Sequence, residues 1–230
     1  MTLVVSVIGA GKIGREIIEF VQSSPGHTLG RILTRSGVPD TGDAAEFFAT
    51  PCDIIIDAAG PQALRSHAGL VLAHADLWTV GAAALADDGL RAQLAETGQR
   101  HGHHLRLFSP WISGISSGEP DASARLHVQA QRPGIGSPWS GAIREGVARF
   151  PNDLNSAVAA ALCGPGLDAT TVALRDSGAG GAHRIDASYM NATGTFTSSV
   201  EFNDLALRSH PTATAIIRAL RASDQFLRYG

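Results

Sequence analysis

A short apolar run that closes on three spaced glycines, Leu3-Val-Val-Ser-Val-Ile-Gly-Ala-Gly-Lys-Ile-Gly14, constrains this chain more than any other stretch. The β-branched residues Val4, Val5, Val7 and Ile8 suit a strand buried on both faces. The sequel Gly9-Ala-Gly11-Lys-Ile-Gly14 has the spacing of a dinucleotide-binding turn. Gly9 permits a tight strand-to-helix turn, Gly11 lets the backbone approach a pyrophosphate, and Gly14 lets the helix pack closely on the strand. A helix is expected from Lys12 to about Val21, with Ile13, Ile17, Ile18 and Val21 on one face. Its first N–H groups, at Lys12, Ile13 and Gly14, and its positive dipole end would then meet the pyrophosphate. Glycine turns in other α/β domains share this spacing. The strand before it and the amphipathic helix after it favour the dinucleotide.

The second strand, His27 to Thr34, ends in Thr34-Arg35-Ser36, about twenty residues beyond the turn, where an NAD-selective site places an acid for the ribose 2′-hydroxyl. No acid stands there. Two hydroxyls and a guanidinium match a 2′-phosphate, because arginine offers its donor fork to phosphate oxygens. The spacing therefore predicts NADP as the preferred cofactor, with NAD as the other choice; an exposed loop arginine is the plainer alternative for Arg35.

Further strands are expected at Cys52–Gly60, Leu77–Gly81 and Leu105–Phe108, with helices from Pro61 to about His74 and from near Asp87 and Asp88. Short apolar strands alternating with helices predict a doubly wound parallel sheet of Rossmann type. Ala58, Ala59, Gly81 and Ala82, in the turns after the third and fourth strands, are then expected to line the nicotinamide side of the cleft. His101, His103 and His104 cluster where a helix C-terminus favours imidazoles, so the reading there is no metal. A charged content of 17% and a net charge of −3 are those of an ordinary globular protein and lack the basic stripe of a nucleic-acid surface. Two distant cysteines, an immediate strand and no long apolar segment point to a cytoplasmic protein without membrane contact.

After Ser109 the rhythm changes. Residues 111–121 read as a loop, and Ser123–Gln131 and Thr195–Phe202 alternate, the latter expected to bury Phe196, Val200 and Phe202. Asn152–Leu162 reads as an Ala-rich helix stopped by Gly164-Pro-Gly166, with strands at Thr170–Arg175 and His183–Tyr189 and an amphipathic helix at Pro211–Arg221. Residues 1–108 are thus expected to form a dinucleotide-binding domain to which 209–230 returns, and 109–208 a smaller α+β domain for substrate and dimerisation.

Trp139-Ser-Gly-Ala-Ile-Arg-Glu-Gly146, followed by Phe150-Pro-Asn-Asp-Leu-Asn155 and an Ala-rich helix, resembles the L-aspartate dehydrogenase family. Ala182-His183-Arg-Ile-Asp-Ala is similar to that family's His-x-Ile-Glu-Val strand, and Asp57-Ala-Ala, Val80-Gly-Ala and His210-Pro-Thr-Ala-Thr-Ala follow the family's order. The resemblance implies an NAD(P)-dependent oxidoreductase that acts on a small amino acid, aspartate first, giving the 2-oxo acid and ammonia, or the reverse. It also implies His183 as the catalytic residue and a homodimer. Asn155 would orient the substrate or the nicotinamide amide.

Three segments depart from the family pattern. The Ser-Gly-Ala-Ile-Gly-Gly loop is here Ser109-Pro-Trp-Ile-Ser-Gly-Ile115, the segment Val80–Asp87 is two residues longer, and Gly181 replaces an Asn two places before the histidine. Trp111 and Ile112 either reshape the substrate pocket or belong to the core. Two rival readings stay open: an NADP(H)-binding sensor without catalysis, and a reductase of another imine or carbonyl.

Overall fold

The structure, a computed structural model, describes residues 2–109, 111–115, 121–202 and 209–224. The expected loop at 116–120, Pro110, and the stretches 203–208 and 225–230 lie outside the described residues. Two compact units divide the chain, Met1–Phe108 with Ser209–Gly230, and Ser109–Arg208.

In the first unit β1 (Leu3–Ile8) leads through the glycine turn into α1 (Lys12–Ser23), then β2 (His27–Leu33), α2 (Ala44–Phe48), β3 (Ile54–Asp57) and α3 (Pro61–His74). β4 (Asp76–Thr79), a 3₁₀ turn (Ala82–Ala86), α4 (Asp88–His101) and β5 (Leu105–Leu107) follow. The sheet has the order β2-β1-β3-β4-β5, and every neighbouring pair is parallel. Val5, Val7, Ile55 and Ile56 are essentially inaccessible, as strands covered on both faces require. Local chemistry sets the helix starts. Asp43 accepts from the Ala45 N–H (2.8 Å), Asp87 accepts from the Leu90 N–H (3.0 Å), and Pro61 occupies the first turn of α3. The order of strands reverses between β1 and β3, so a ligand crevice is expected beyond their carboxyl ends.

The second unit holds β6 (Arg125–Arg132), β7 (Trp139–Ala142), α5 (Ile143–Arg149), α6 (Asn155–Cys163), β8 (Thr170–Asp176), β9 (His183–Asn191) and β10 (Gly194–Phe202). Its sheet runs β10-β9-β6-β8-β7, with β6 and β8 parallel and the other pairs antiparallel. α6 buries Ala157 to Ala161 without a break, which small side chains allow. β7 and α5 have no counterpart in the periodicity, being a four-residue strand and a seven-residue helix. Phe196, Val200 and Phe202 are half-buried rather than buried, because β10 lies at the sheet edge.

α7 (Pro211–Asp224) completes the first unit. Its Ala213, Ile216 and Leu220 join Ile17, Ile18 and Val21 of α1 and Val5 and Val7 of β1 in one apolar cluster. The His210 N–H, just before α7, donates to the Glu16 carboxylate (2.8 Å). Among the described residues no helix is long and apolar enough to cross a membrane.

Candidate functional site

The glycine turn explains its own composition. Gly9 has φ +93°, and a Cβ there would stand 2.8 Å from the Ala59 Cβ. A Cβ on Gly14 would overlap the Gly9 carbonyl oxygen, so Gly14 is buried directly beneath the turn. Gly11 differs from both. Its φ is −72°, which any residue adopts, and a Cβ there would meet nothing within 4 Å. The protein's packing needs the first and last glycines; the middle one keeps open a space that the protein itself does not use. Gly11 also caps α1 without any side-chain hydrogen bond, and the first turn carries no acid. The positive end of a twelve-residue helix therefore faces that space uncovered.

A cavity of about 870 Å³ adjoins the turn. Its walls come from Ile8 to Gly11, Leu33 to Ser36, the following loop (Val38, Gly42), the start of α2 (Ala44), Ala58 and Ala59, and one face of α3 (Gln62, Ala63, Ser66, His67). It sits at the carboxyl ends of β1, β2 and β3, where the strand order reverses. Seven residues expected at a cofactor site are thus brought together: Gly9, Gly11, Thr34, Arg35, Ser36, Ala58 and Ala59. Lys12 and Ile13 occupy the first turn of α1, next to this wall rather than on it.

Gly81 and Ala82 do not line the cavity. A Cβ on Gly81 would stand 2.6 Å from the Gly60 carbonyl carbon, and Ala82, at 2% exposure, begins the buried 3₁₀ turn. That turn accommodates the longer Val80–Asp87 segment inside the first unit.

The loop after β2 is held from behind. Thr34 Oγ1 donates to the Val38 carbonyl (2.9 Å), and the Thr34 N–H donates to the Thr41 carbonyl (2.9 Å). The nearby carboxylates are engaged elsewhere: Arg31 Nε donates to Asp40 (2.7 Å), and its other arm donates to Glu46 (2.6 Å). Arg31 and the Ile32 N–H hold the Asp40 carboxyl below its ordinary range; Thr41, then Arg31, do the same for Glu46. The cavity wall therefore presents Arg35 and no carboxylate.

Asp57, which the sequence reading used only as part of a motif, ends β3 at 1% exposure. Its carboxylate accepts from Thr79 Oγ1 (2.7 Å), the Ala59 N–H (3.0 Å) and the Gly60 N–H (3.3 Å), while Thr79 Oγ1 accepts from the Gly81 N–H (2.8 Å). One side chain thus shapes the Ala58–Gly60 wall of the cavity. Burial pushes its pKa up from 3.8 to about 6 against the pull of these donors. Between those values the folded chain binds the proton more tightly than the unfolded chain, so stability falls as pH rises from about 4 to about 6. The full effect is about 3 kcal/mol. The expected result is a melting temperature that drops across this window relative to Asp57→Asn; a difference between the two proteins that does not vary with pH would refute it.

In the second unit His183 opens β9 on the row that continues with buried Ile185, Ala187 and Tyr189, so it belongs to the covered face rather than the wet one. It pairs in register with Phe202, whose ring centroid lies 4.8 Å from the imidazole. Trp111 meets the same Phe202 edge-on at 5.5 Å, and Ile112 is 6% exposed. The altered loop therefore packs as core at Ile112 and reaches the surroundings of His183 through one ring at Trp111. Gly181 has no room for the family's asparagine, because a Cβ would overlap the Ser177 carbonyl. Asn155 begins α6 and its Nδ2 donates to the Asn152 carbonyl (3.2 Å). The preceding motif has a packing cause: a Cβ on Gly141 or Gly146 would crowd the Trp139 ring, which also lies 5.8 Å from Phe150.

Gln62, Ser66 and His67 escaped sequence reading. The available signal was the i, i+4 spacing of Gln62 with Ser66 and of Ala63 with His67, which puts each pair on one helix face. Burial lowers the His67 pKa. Among the described residues no group of three His, Cys, Asp or Glu side chains is placed to hold a metal ion.

Residues 9–107 match the family model described as homoserine dehydrogenase, NAD binding domain. L-aspartate dehydrogenase 2 of Bordetella pertussis is 33% identical over 186 residues, which cover 70% of this chain and 67% of that protein. L-aspartate dehydrogenase 1 of the same organism is 28% identical, covering 73% and 74%. The crystal structure of aspartate dehydrogenase from Thermotoga maritima superposes with a TM-score of 0.73 at 15% identity, covering 100% of both chains, and so shares the fold.

Proposed function

The chain belongs to the L-aspartate dehydrogenase family, and from that premise we propose that it deaminates a small amino acid oxidatively, with aspartate the first candidate and NADP the preferred cofactor. It is an NAD(P)-dependent oxidoreductase acting on CH–NH₂ groups. The observation that carries the cofactor part is the cavity at the glycine turn, where Gly11 leaves open space beside an uncapped helix end. Those residues fit a dinucleotide. The backbone at Gly9 to Gly11 and the first N–H groups of α1, at Lys12, Ile13 and Gly14, would hold the pyrophosphate, and Thr34, Arg35 and Ser36 the 2′-phosphate. When bound, the nicotinamide accepts the hydride from the substrate Cα.

His183 then has the proton work. Water adds to the substrate imine as the imidazole takes its proton, and the same imidazole returns a proton to the departing amine; 2-oxo acid and ammonia result. In the reverse direction the steps run from 2-oxo acid and ammonium. Asn155, at the start of α6, is proposed to orient the substrate or the carboxamide of the nicotinamide.

The test is a panel of amino acids with NADP⁺ and NAD⁺, and of 2-oxo acids with ammonium and the reduced cofactors. Formation or consumption of reduced dinucleotide with an amino acid supports the proposal. Tight NADP⁺ binding with no turnover of any of them favours the sensor reading, which the Trp111 loop next to Phe202 keeps in view. Arg35→Ala is expected to weaken NADP(H) roughly ten- to hundred-fold, the worth of a charge-assisted phosphate contact of about 1.5–3 kcal/mol, and to leave NAD(H) unchanged. Equal losses with both cofactors would make Arg35 a structural residue.

A further inference from the structure

We propose that His67 takes up a proton when a 2′-phosphorylated dinucleotide enters the cavity at the glycine turn, so that the choice between NADP(H) and NAD(H) depends on pH. The inference rests on reading Thr34, Arg35 and Ser36 as the 2′-phosphate site.

Among the residues that line this cavity, Arg35 and His67 are the two whose side chains can carry a charge. They reach it from different elements, Arg35 from the loop after β2 and His67 from the second turn of α3. A phosphate monoester brings close to two negative charges at neutral pH. A cavity of about 870 Å³ spans roughly one Debye length, about 8 Å at physiological salt, so screening weakens the attraction between that charge and an imidazole on the wall without abolishing it. An unphosphorylated ribose brings no such charge.

The ring is also prepared to respond. Burial alone holds the His67 pKa below the usual imidazole value, and no charged neighbour contributes, so burial favours the neutral imidazole before binding. Several charged groups on elements packed against α3 are engaged elsewhere. On α2, Glu46 is held by Thr41 and Arg31; on β3, Asp57 is held by Thr79, Ala59 and Gly60. On β4, Asp76 accepts from the His104 N–H, and on α4, Arg91 donates to the Leu85 carbonyl and pairs with Asp88. On α3 itself His74 is bonded to the Leu70 carbonyl, and Arg65 is exposed to solvent. Arg35 is the one charged side chain on the cavity wall beside His67, so an incoming phosphate is the first anionic charge to enter that space, and the His67 pKa rises.

The sign separates this event from its background. The phosphate's own second ionisation, near pH 6, releases protons when Arg35 favours the dianion; His67 takes protons up. Calorimetric titration of the whole chain at pH 7, in two buffers of different ionisation enthalpy, counts protons directly. Uptake of about half a proton or more is expected with NADP⁺ and about none with NAD⁺. In His67→Gln the uptake disappears, and a roughly three- to ten-fold fall in NADP⁺ affinity from pH 6.5 to 8 flattens. NADP⁺ preference without uptake, or with uptake that survives in His67→Gln, overturns the role of His67 and leaves the 2′-phosphate reading standing. Equal affinity for NADP⁺ and NAD⁺ in the unaltered chain overturns both. Should His67→Gln lose NAD⁺ binding too, the His67 imidazole resonance of the unaltered chain decides: its pKa must rise on saturation with NADP⁺ but not with NAD⁺, and an unmoved titration overturns the proposal.

Discussion

His183→Ala is expected to lower turnover of the amino-acid substrate by roughly 10²–10⁴-fold, the range set by loss of a positioned general acid–base. The imidazole suits the task because its reference pKa, about 6.5, lets it both take and give a proton near neutral pH. Dinucleotide affinity should be preserved, since the glycine turn and its cavity are built entirely from residues of the other unit. The structure adds a requirement for the control. His183 lies on the covered face of β9 and its ring meets Phe202, so its removal also leaves a gap beside that ring. His183→Gln, which fills more of the space, separates the two effects. A chemical role leaves both variants slow even where the glutamine variant melts higher than the alanine variant; recovery of activity in the glutamine variant would reduce His183 to a packing residue.

The second large effect distinguishes two glycines of the same turn. Gly11→Val places a side chain in space that the protein does not occupy, at a φ of −72° that valine tolerates. Folding should survive, while NADP⁺ and NAD⁺ affinity both fall by about 1–3 kcal/mol, roughly five- to hundred-fold, as overpacking against the bound pyrophosphate predicts. Gly14→Ala puts one carbon into the Gly9 carbonyl and should destabilise the first unit by ~3 kcal/mol or more, with binding lost only as a consequence. Melting temperature and dinucleotide affinity measured on both variants check the distinction. A Gly11→Val protein that binds as tightly as the unaltered chain would remove the dinucleotide from this cavity.

The first unit was legible because its chemistry is local and repetitive. Val5, Val7, Ile55 and Ile56 sit in continuous apolar runs, as strands covered on both faces must. Pro61, Asp43 and Asp87 mark helix starts by their own side chains. The second unit was harder. β7 has four residues and α5 seven, too few for a period to declare itself, and what holds them is the Trp139 ring over Gly141 and Gly146. Among site residues, Thr34, Arg35 and Ser36 were legible from their distance along the chain to the glycine turn. Asp57 and His67 were not, because their character depends on what surrounds them: a carboxyl becomes unusual through burial among Thr79, Ala59 and Gly60, and an imidazole through the cavity it faces. Gly81 and Ala82 stand in a buried turn of small residues, and such a turn looks the same in sequence whether it borders a crevice or fills a core.

The position of α7 has a consequence for how the chain is made. Ala213, Ile216 and Leu220 cover Ile17, Ile18 and Val21, so a ribosome that has released the first 108 residues has released an incomplete core. The apolar face of α1 stays uncovered while about a hundred more residues are synthesised, so through that interval the nascent dinucleotide-binding half exposes apolar surface that is prone to aggregate. Moving the α7 segment ahead of β1 by circular permutation would let that half finish folding while still tethered, and truncation before Pro211 would prevent it from finishing at all.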